Sequence, residues 1–350
     1  MKLSHLVSIV LTVLLLISFS AVRGSAAVTR LYVVNNLDNT VSVIDTTTNT
    51  VITTIKVGAS PTGIAYNPAN KKVYVVNRGD NTVSIIDTVN HLVTGTILSV
   101  GPYPWYVAVD PTTHNIDLNQ WVKGLPVNFV YVTSPVSNNV DIIISTFDGL
   151  LNLPGGNIHT DVPPGIGVFN IALDIASQKA YAVNCHNATL SILDLQTKKM
   201  AATVENLENT DSFVGVGLDT GLNKVYAVGD KIDVMPVIDV NAKKVVAKIK
   251  VGTSPYNVTV DSTAHKAYVV NRGSNSISVV NTSKDTVEST IKVGTEPISL
   301  VLADGKAYVT NCGSNNISVI DTAANKVTST IPLTGMKSYR GFCPWGIAAF

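Results

Sequence analysis

Four short stretches set an aromatic residue at the same point: Pro104-Trp105-Tyr106, Val168-Phe169-Asn170, Pro255-Tyr256-Asn257 and Pro344-Trp345-Gly346. Flat ring faces grouped with the carboxamides of Asn170 and Asn257 suit recognition of a sugar, a peptide or another flat organic molecule. The chemistry on offer is stacking and hydrogen bonding. The competing expectation is that the rings wedge between structural units as core, the commoner fate of large aromatic side chains.

Residues that break bonds are scarce. Histidine occurs at positions 5, 91, 114, 159, 186 and 265, with no His-Glu-His or paired-carboxylate grouping at corresponding positions. Most aspartates close short apolar runs, where turn capping accounts for them. Asn170 and Asn257 have the chemistry to ligate a divalent ion, but no Glu stands beside them. No catalytic residue, no metal and no cofactor is expected.

The elements that must position these residues are repeats. The tetrad Tyr-x-Val-Asn, or a close variant, begins at Tyr32, Tyr74, Tyr131, Tyr181, Tyr226, Tyr268 and Tyr308. Its spacing drifts from 40 to 57 residues. Yet the residue thirteen places after each Tyr always closes a second apolar run: Asp45, Asp87, Ile144, Asp194, Asp239, Asn281 and Asp321. A fixed interval inside drifting units marks a structural repeat.

One unit reads as four strands: "PTGIAYN" (a), "KVYVVN" (b), "TVSIID" (c) and "LVTGTILSV" (d). Each is short, rich in β-branched residues and bounded by turn chemistry. Seven four-stranded meanders without helical periodicity predict an all-β, seven-bladed β-propeller. The first unit lacks its strand a, and the chain ends on a spare one, "PWGIAAF". That C-terminal strand is expected to pair with Leu31–Asn35 of the N-terminal blade, closing the ring and removing its open edges.

The tetrads, the Asn-bracketed turns and "VSVID" followed by Gly-x-x-Pro resemble the YVTN family of β-propeller repeats across residues 28–350. Two units depart from the pattern: the third has Ser134 and Ile144, the fifth Gly229 and Pro236. The resemblance implies a secreted or surface protein, in a family many of whose members have no assigned activity. Other seven-bladed propellers are lactonases, lyases or subunits of redox enzymes.

On this fold the b–c turns and d–a links share the channel-mouth face. Trp105, Tyr106, Phe169, Asn170, Tyr256, Asn257 and Trp345 thereby become candidate ligand contacts. Arg78, Arg272 and Lys231, in b–c turns, add positive charge around the mouth or are simply solvated. Arg78-Gly79-Asp80 spells an adhesion tripeptide, but the equivalent turn reads Arg272-Gly273-Ser274, so ordinary turn preference explains it. Cys312 and Cys343 fall in neighbouring elements of the same face, and a disulfide between them is expected, leaving Cys185 free. Three buried thiols are the alternative. The third unit carries long insertions, and Trp121 at one tip is a candidate partner contact, together with Arg78 and Arg272. A packing flap under the disc is the other reading.

Residues 1–27 read as a signal peptide: an early Lys2, an apolar run from Leu6 to Phe19, and Ser25 and Ala27 before a cut. That leaves 28–350 as a single exported domain without a membrane span, periplasmic, extracellular or at the cell surface. With 25 basic and 24 acidic side chains, there is no electrostatic footprint for nucleic acid. The expectation is a monomeric binding or interaction scaffold for an unidentified protein or carbohydrate-like ligand. A lactonase- or lyase-like propeller enzyme and an accessory partner of a periplasmic redox system are the alternatives.

Overall fold

The computed structural model describes residues 29–98, 100–117, 123–137, 139–146, 152–159, 167–185, 187–208, 213–333 and 343–350. These form 28 strands in seven antiparallel sheets of four, with no helix among the described residues. The architecture is a seven-bladed β-propeller. Blade two shows the plan: a, Pro61–Asn67; b, Lys72–Asn77; c, Thr82–Asp87; d, Leu92–Ile97.

Blade one is built from both ends of the chain. Its strand a, Pro344–Ala349, pairs with strand b, Arg30–Asn35, placing Leu31 opposite Ala349 and Val33 opposite Ile347. Arg30 and Phe350 exchange backbone hydrogen bonds of 3.0 and 3.2 Å. The terminal strand is the latch of the ring.

The interval of thirteen is a strand register. Each tetrad Tyr faces the residue eleven places on, as Tyr32 faces Val43 and Tyr131 faces Ile142. The thirteenth residue therefore faces the one two before the Tyr. In six blades that pair is a base opposite Asp or Asn, as with Arg30–Asp45, Lys72–Asp87 and Lys266–Asn281. The first two are ion pairs at 2.9 and 2.7 Å. Blade three changes both members at once, to Phe129 opposite Ile144.

The tetrad Asn staples strand b to strand c. The buried Asn77 Nδ2 donates to Thr82 Oγ1 and Ser84 Oγ, both at 2.9 Å, and Asn184 and Asn271 repeat the arrangement. The glycine of the Gly-x-x-Pro link closes on this Asn. A Cβ on Gly252 would lie 2.6 Å from the Asn271 carboxamide carbon, and Gly252 N–H donates to Asn271 Oδ1 at 3.1 Å. The two sequence motifs thus depend on each other. Hairpin turns end on left-handed residues, among them Asn39, Asn81 and Asn275 at φ 57°, 57° and 52°, a conformation Asn tolerates.

The tetrad Tyr has a different task. It is fully buried in every blade and reaches across to the next. Tyr32 Oη lies 2.6 Å from His91 Nδ1, and Tyr74 Oη 2.6 Å from Ser145 Oγ; Tyr226 donates to the Thr282 carbonyl at 3.3 Å. Tyr308 of blade seven packs with Leu31, Val33 and Ile44 of blade one, carrying the pattern over the seam. Seven apolar clusters fill the seven gaps between sheets; Tyr32, Val43 and Ile55 of blade one, for example, meet Ile64, Val75 and Ile86 of blade two. The core is a ring of interfaces between blades.

A disulfide joins Cys312, in the b–c turn of blade seven, to Cys343, at the entry to the latch strand. Cys185 is a buried thiol. In blade three the first insertion prolongs a hairpin: strands a and b run over Tyr106–Ile116 and Leu125–Thr133, past a register shift between Asp110 and His114. Trp121 and residues 1–28, with the expected signal peptide, lie outside the described residues. In blade five Pro236 sits where the b–c ladder ends, since a proline offers it no N–H.

Candidate functional site at the channel mouth

Successive a strands pack side by side around the axis, and the first residues of each bring the d–a links to one mouth. Trp105, Tyr106, Phe169, Asn170, Tyr256, Asn257 and Trp345 all line one cavity of about 230 Å³ there. The four rings after the proline position come from blades three, four, six and one. The Trp105 ring lies 4.7 Å from Phe169 and 5.8 Å, edge-on, from Trp345; Trp345 in turn stands 6.2 Å, edge-on, from Tyr256. These are favourable aromatic geometries. All four residues are part-exposed, and Trp345 also packs against the apolar cluster between blades one and two.

Threonines of the preceding blades fix the ring-bearing backbone. Thr62 Oγ1 donates to the Trp105 carbonyl at 2.9 Å, Thr133 Oγ1 to that of Phe169 at 2.9 Å, and Thr310 Oγ1 to that of Trp345 at 2.8 Å. Thr133 and Thr310 stand where most tetrads have Val. The Thr in "YVTS" and "YVTN" was the available sequence signal for these anchors, and motif reading by itself passed over it.

Polar groups in the cavity wall are amides and hydroxyls. Asn170 Oδ1 accepts the Ile171 N–H at 2.7 Å, and Asn257 Oδ1 that of Val258 at 2.8 Å. Asn257 Nδ2 donates to Ser299 Oγ at 3.3 Å. Among the described residues no Asp, Glu, His, Cys, Lys or Arg lines the cavity. Burial pushes the Tyr106 and Tyr256 phenols up, so both stay protonated in the neutral range.

Charge collects on the rim. The Arg78 guanidinium carbon sits 4.7 Å from the Trp105 ring centroid and 5.7 Å from that of Tyr103. Arg272 lies 5.8 Å over Tyr256, with Nη2 3.4 Å from Glu296 Oε1. All three ring distances fall in the cation–π range. Lys231 is exposed in the turn of blade five. In the exposed Arg78-Gly79-Asp80 turn, Arg78 lies on the rings and Asp80 Oδ2 accepts the Ala59 N–H at 2.5 Å. No group of three His, Cys, Asp or Glu residues that could hold a metal ion occurs among the described residues.

No family model and no curated protein matches this chain. Solved structures do. Kuenenia stuttgartiensis hydrazine synthase matches over 84% of this chain and 92% of its own, with TM-score 0.69 and 16% identity. Dihydro-heme d1 dehydrogenase NirN in complex with DHE matches over 91% and 74%, at 0.63 and 11%. Apo AztD from Citrobacter koseri matches over 92% and 98%, at 0.57 and 14%. At these identities the likeness is one of fold: the chain is a β-propeller shared with proteins of different chemistry.

Proposed function

We propose that this chain is an exported binding propeller that holds a small flat organic ligand at its channel mouth, without catalysis of its own. The observation that carries the reading is the meeting of four part-exposed rings from four blades around one cavity. Its size, about 230 Å³, lies just below the usual range for drug-sized ligands and suits a single ring. Stacking supplies the affinity, and amide and hydroxyl donors supply orientation.

Export rests on the leader-like residues 1–27. A partner surface on the long hairpin of blade three, near Trp121, belongs to the same reading. A lactonase- or lyase-like site needs a group that moves a proton or polarises a carbonyl, and among the described residues no carboxylate, His or metal-binding cluster lines the cavity. A role beside a redox enzyme draws only on the shared fold.

Saturation-transfer NMR with phenol and benzyl alcohol tests the reading. Transfer to the ring protons is expected with the native protein and is lost in a Trp105→Ala/Trp345→Ala variant of unchanged circular dichroism. Absence of transfer from the native protein, or transfer that survives in the variant, overturns it.

A further inference from the structure

We propose that the ligand of the mouth is a carboxylate on a single flat ring, with the ring among the four aromatics and the carboxylate on Arg78. This inference rests on the proposed function above and adds the ligand's charge.

Three observations carry it, two in the cavity wall and one on its rim. First, Asn170 is 4% exposed, lines the cavity and spends only its carbonyl oxygen, on the Ile171 N–H. Its amide nitrogen has no partner among the described residues. Its two N–H groups are donors that an acceptor on a ligand can meet. Second, Arg78 lies against Trp105 with no carboxylate within ion-pair distance among the described residues, and its buried Nε has no hydrogen-bond partner. A guanidinium held on an aromatic face presents a planar fork of donors that fits a carboxylate. Third, no acidic side chain lines the cavity among the described residues.

An aromatic enclosure also attracts ammonium ions, so the sign of the ligand's charge must be decided. The faces of Trp105 and Tyr256 already carry Arg78 and Arg272. Glu296 meets Arg272 and Asp230 stands near Tyr256, so the positive side of the mouth is at Trp105, where Arg78 has no carboxylate within ion-pair distance among the described residues. A cationic ligand would meet like charge on the rings meant to bind it. The cavity volume limits the body of the ligand to one ring.

The probes are 4-hydroxybenzoate, 4-hydroxybenzamide and 4-hydroxybenzylamine, of nearly equal shape and with charge −1, 0 and +1 at neutral pH. Calorimetric titration at low salt is expected to rank them in that order, with the acid bound about 10-fold or more tighter than the amide, as a charge-assisted hydrogen bond supplies. The preference shrinks at 500 mM NaCl, because the rim is part-exposed. Arg78→Gln brings the acid down to the level of the amide, whereas Arg272→Gln, whose charge is already met by Glu296, keeps the preference. Arg78 also packs on Trp105, so Asn170→Asp is a second test. It retains the oxygen that accepts the Ile171 N–H, replaces the free donors with negative charge, and is expected to weaken the acid at least 10-fold.

Amide or amine binding as tight as the acid, or a preference that survives Arg78→Gln, overturns the anion assignment and leaves the mouth a ligand site. Failure of all three probes to bind overturns both the assignment and the single-ring reading of the mouth.

Discussion

Cys312 of blade seven is bonded to Cys343, the residue that leads into the latch strand of blade one, across a sequence separation of 31. The bond spans the one blade assembled from both chain ends. It holds the closing strand to its neighbour from the mouth side, while Arg30 and Phe350 pair at the other end of the strand.

By loop-closure entropy a bridge of this separation contributes about 3–4 kcal/mol. A Cys312→Ser/Cys343→Ser variant is therefore expected to unfold at lower urea with that loss. It should also lose residues of the 344–350 strand to carboxypeptidase faster than the native protein. Equal stability of the two proteins, or equal rates of C-terminal trimming, contradicts the latch.

The tetrad Asn makes its own prediction. Asn77 is fully buried and donates twice, to Thr82 and Ser84. Asn77→Ala strands two hydroxyls and opens a small void, and is expected to cost about 2–4 kcal/mol. Asn49, outside the tetrads in an exposed turn, should tolerate Asn49→Gly with a change near zero. Urea midpoints of the two variants measure the contrast, and equal midpoints refute it.

The contact of Tyr32 with His91 predicts a pH dependence. Burial first, then the nearby Arg30, hold the His91 imidazole below its ordinary range, with Asp87 partly opposing. Burial keeps the Tyr32 phenol protonated, and it shares a hydrogen bond with the neutral His91 ring at Nδ1. The folded-state pKa lies below the unfolded one, so the unfolded chain takes up the proton first. The contribution is complete above the ordinary value of about 6.5 and is lost as pH falls through the window beneath it. Between pH 7.5 and 5.5 the native protein should lose more stability than His91→Gln. An equal loss in both, read by denaturant titration, removes His91 from the account.

Much of this architecture was legible in the sequence because the constraints repeat. The thirteen-residue interval survived drifting unit lengths since it is the register of the b–c hairpin, set by pairs such as Lys72 opposite Asp87. The latch was legible because a strand a was missing at one end and spare at the other. The positions after the proline were legible as a group because they stand at the same point of every unit.

What lies between blades was not. The partner of the tetrad Tyr changes from His91 to Ser145 to the carbonyl of Thr282, so no residue type marks it. The resting place of Arg78 on Trp105 depends on a long side chain crossing from blade two to blade three. The first insertion of blade three read as loop or flap, yet strand pairing at Leu125 and Ile116 draws it into the hairpin.

The central claim, that the four rings enclose a ligand site, meets its most direct test in a crystal of the mature protein soaked in 4-bromophenol and measured at the bromine edge. The account predicts an anomalous peak inside the cavity walled by Trp105, Phe169, Tyr256 and Trp345, absent from crystals of Trp345→Ala. A saturated soak that shows bromine only elsewhere on the surface, or in the mouth of both proteins alike, would contradict it.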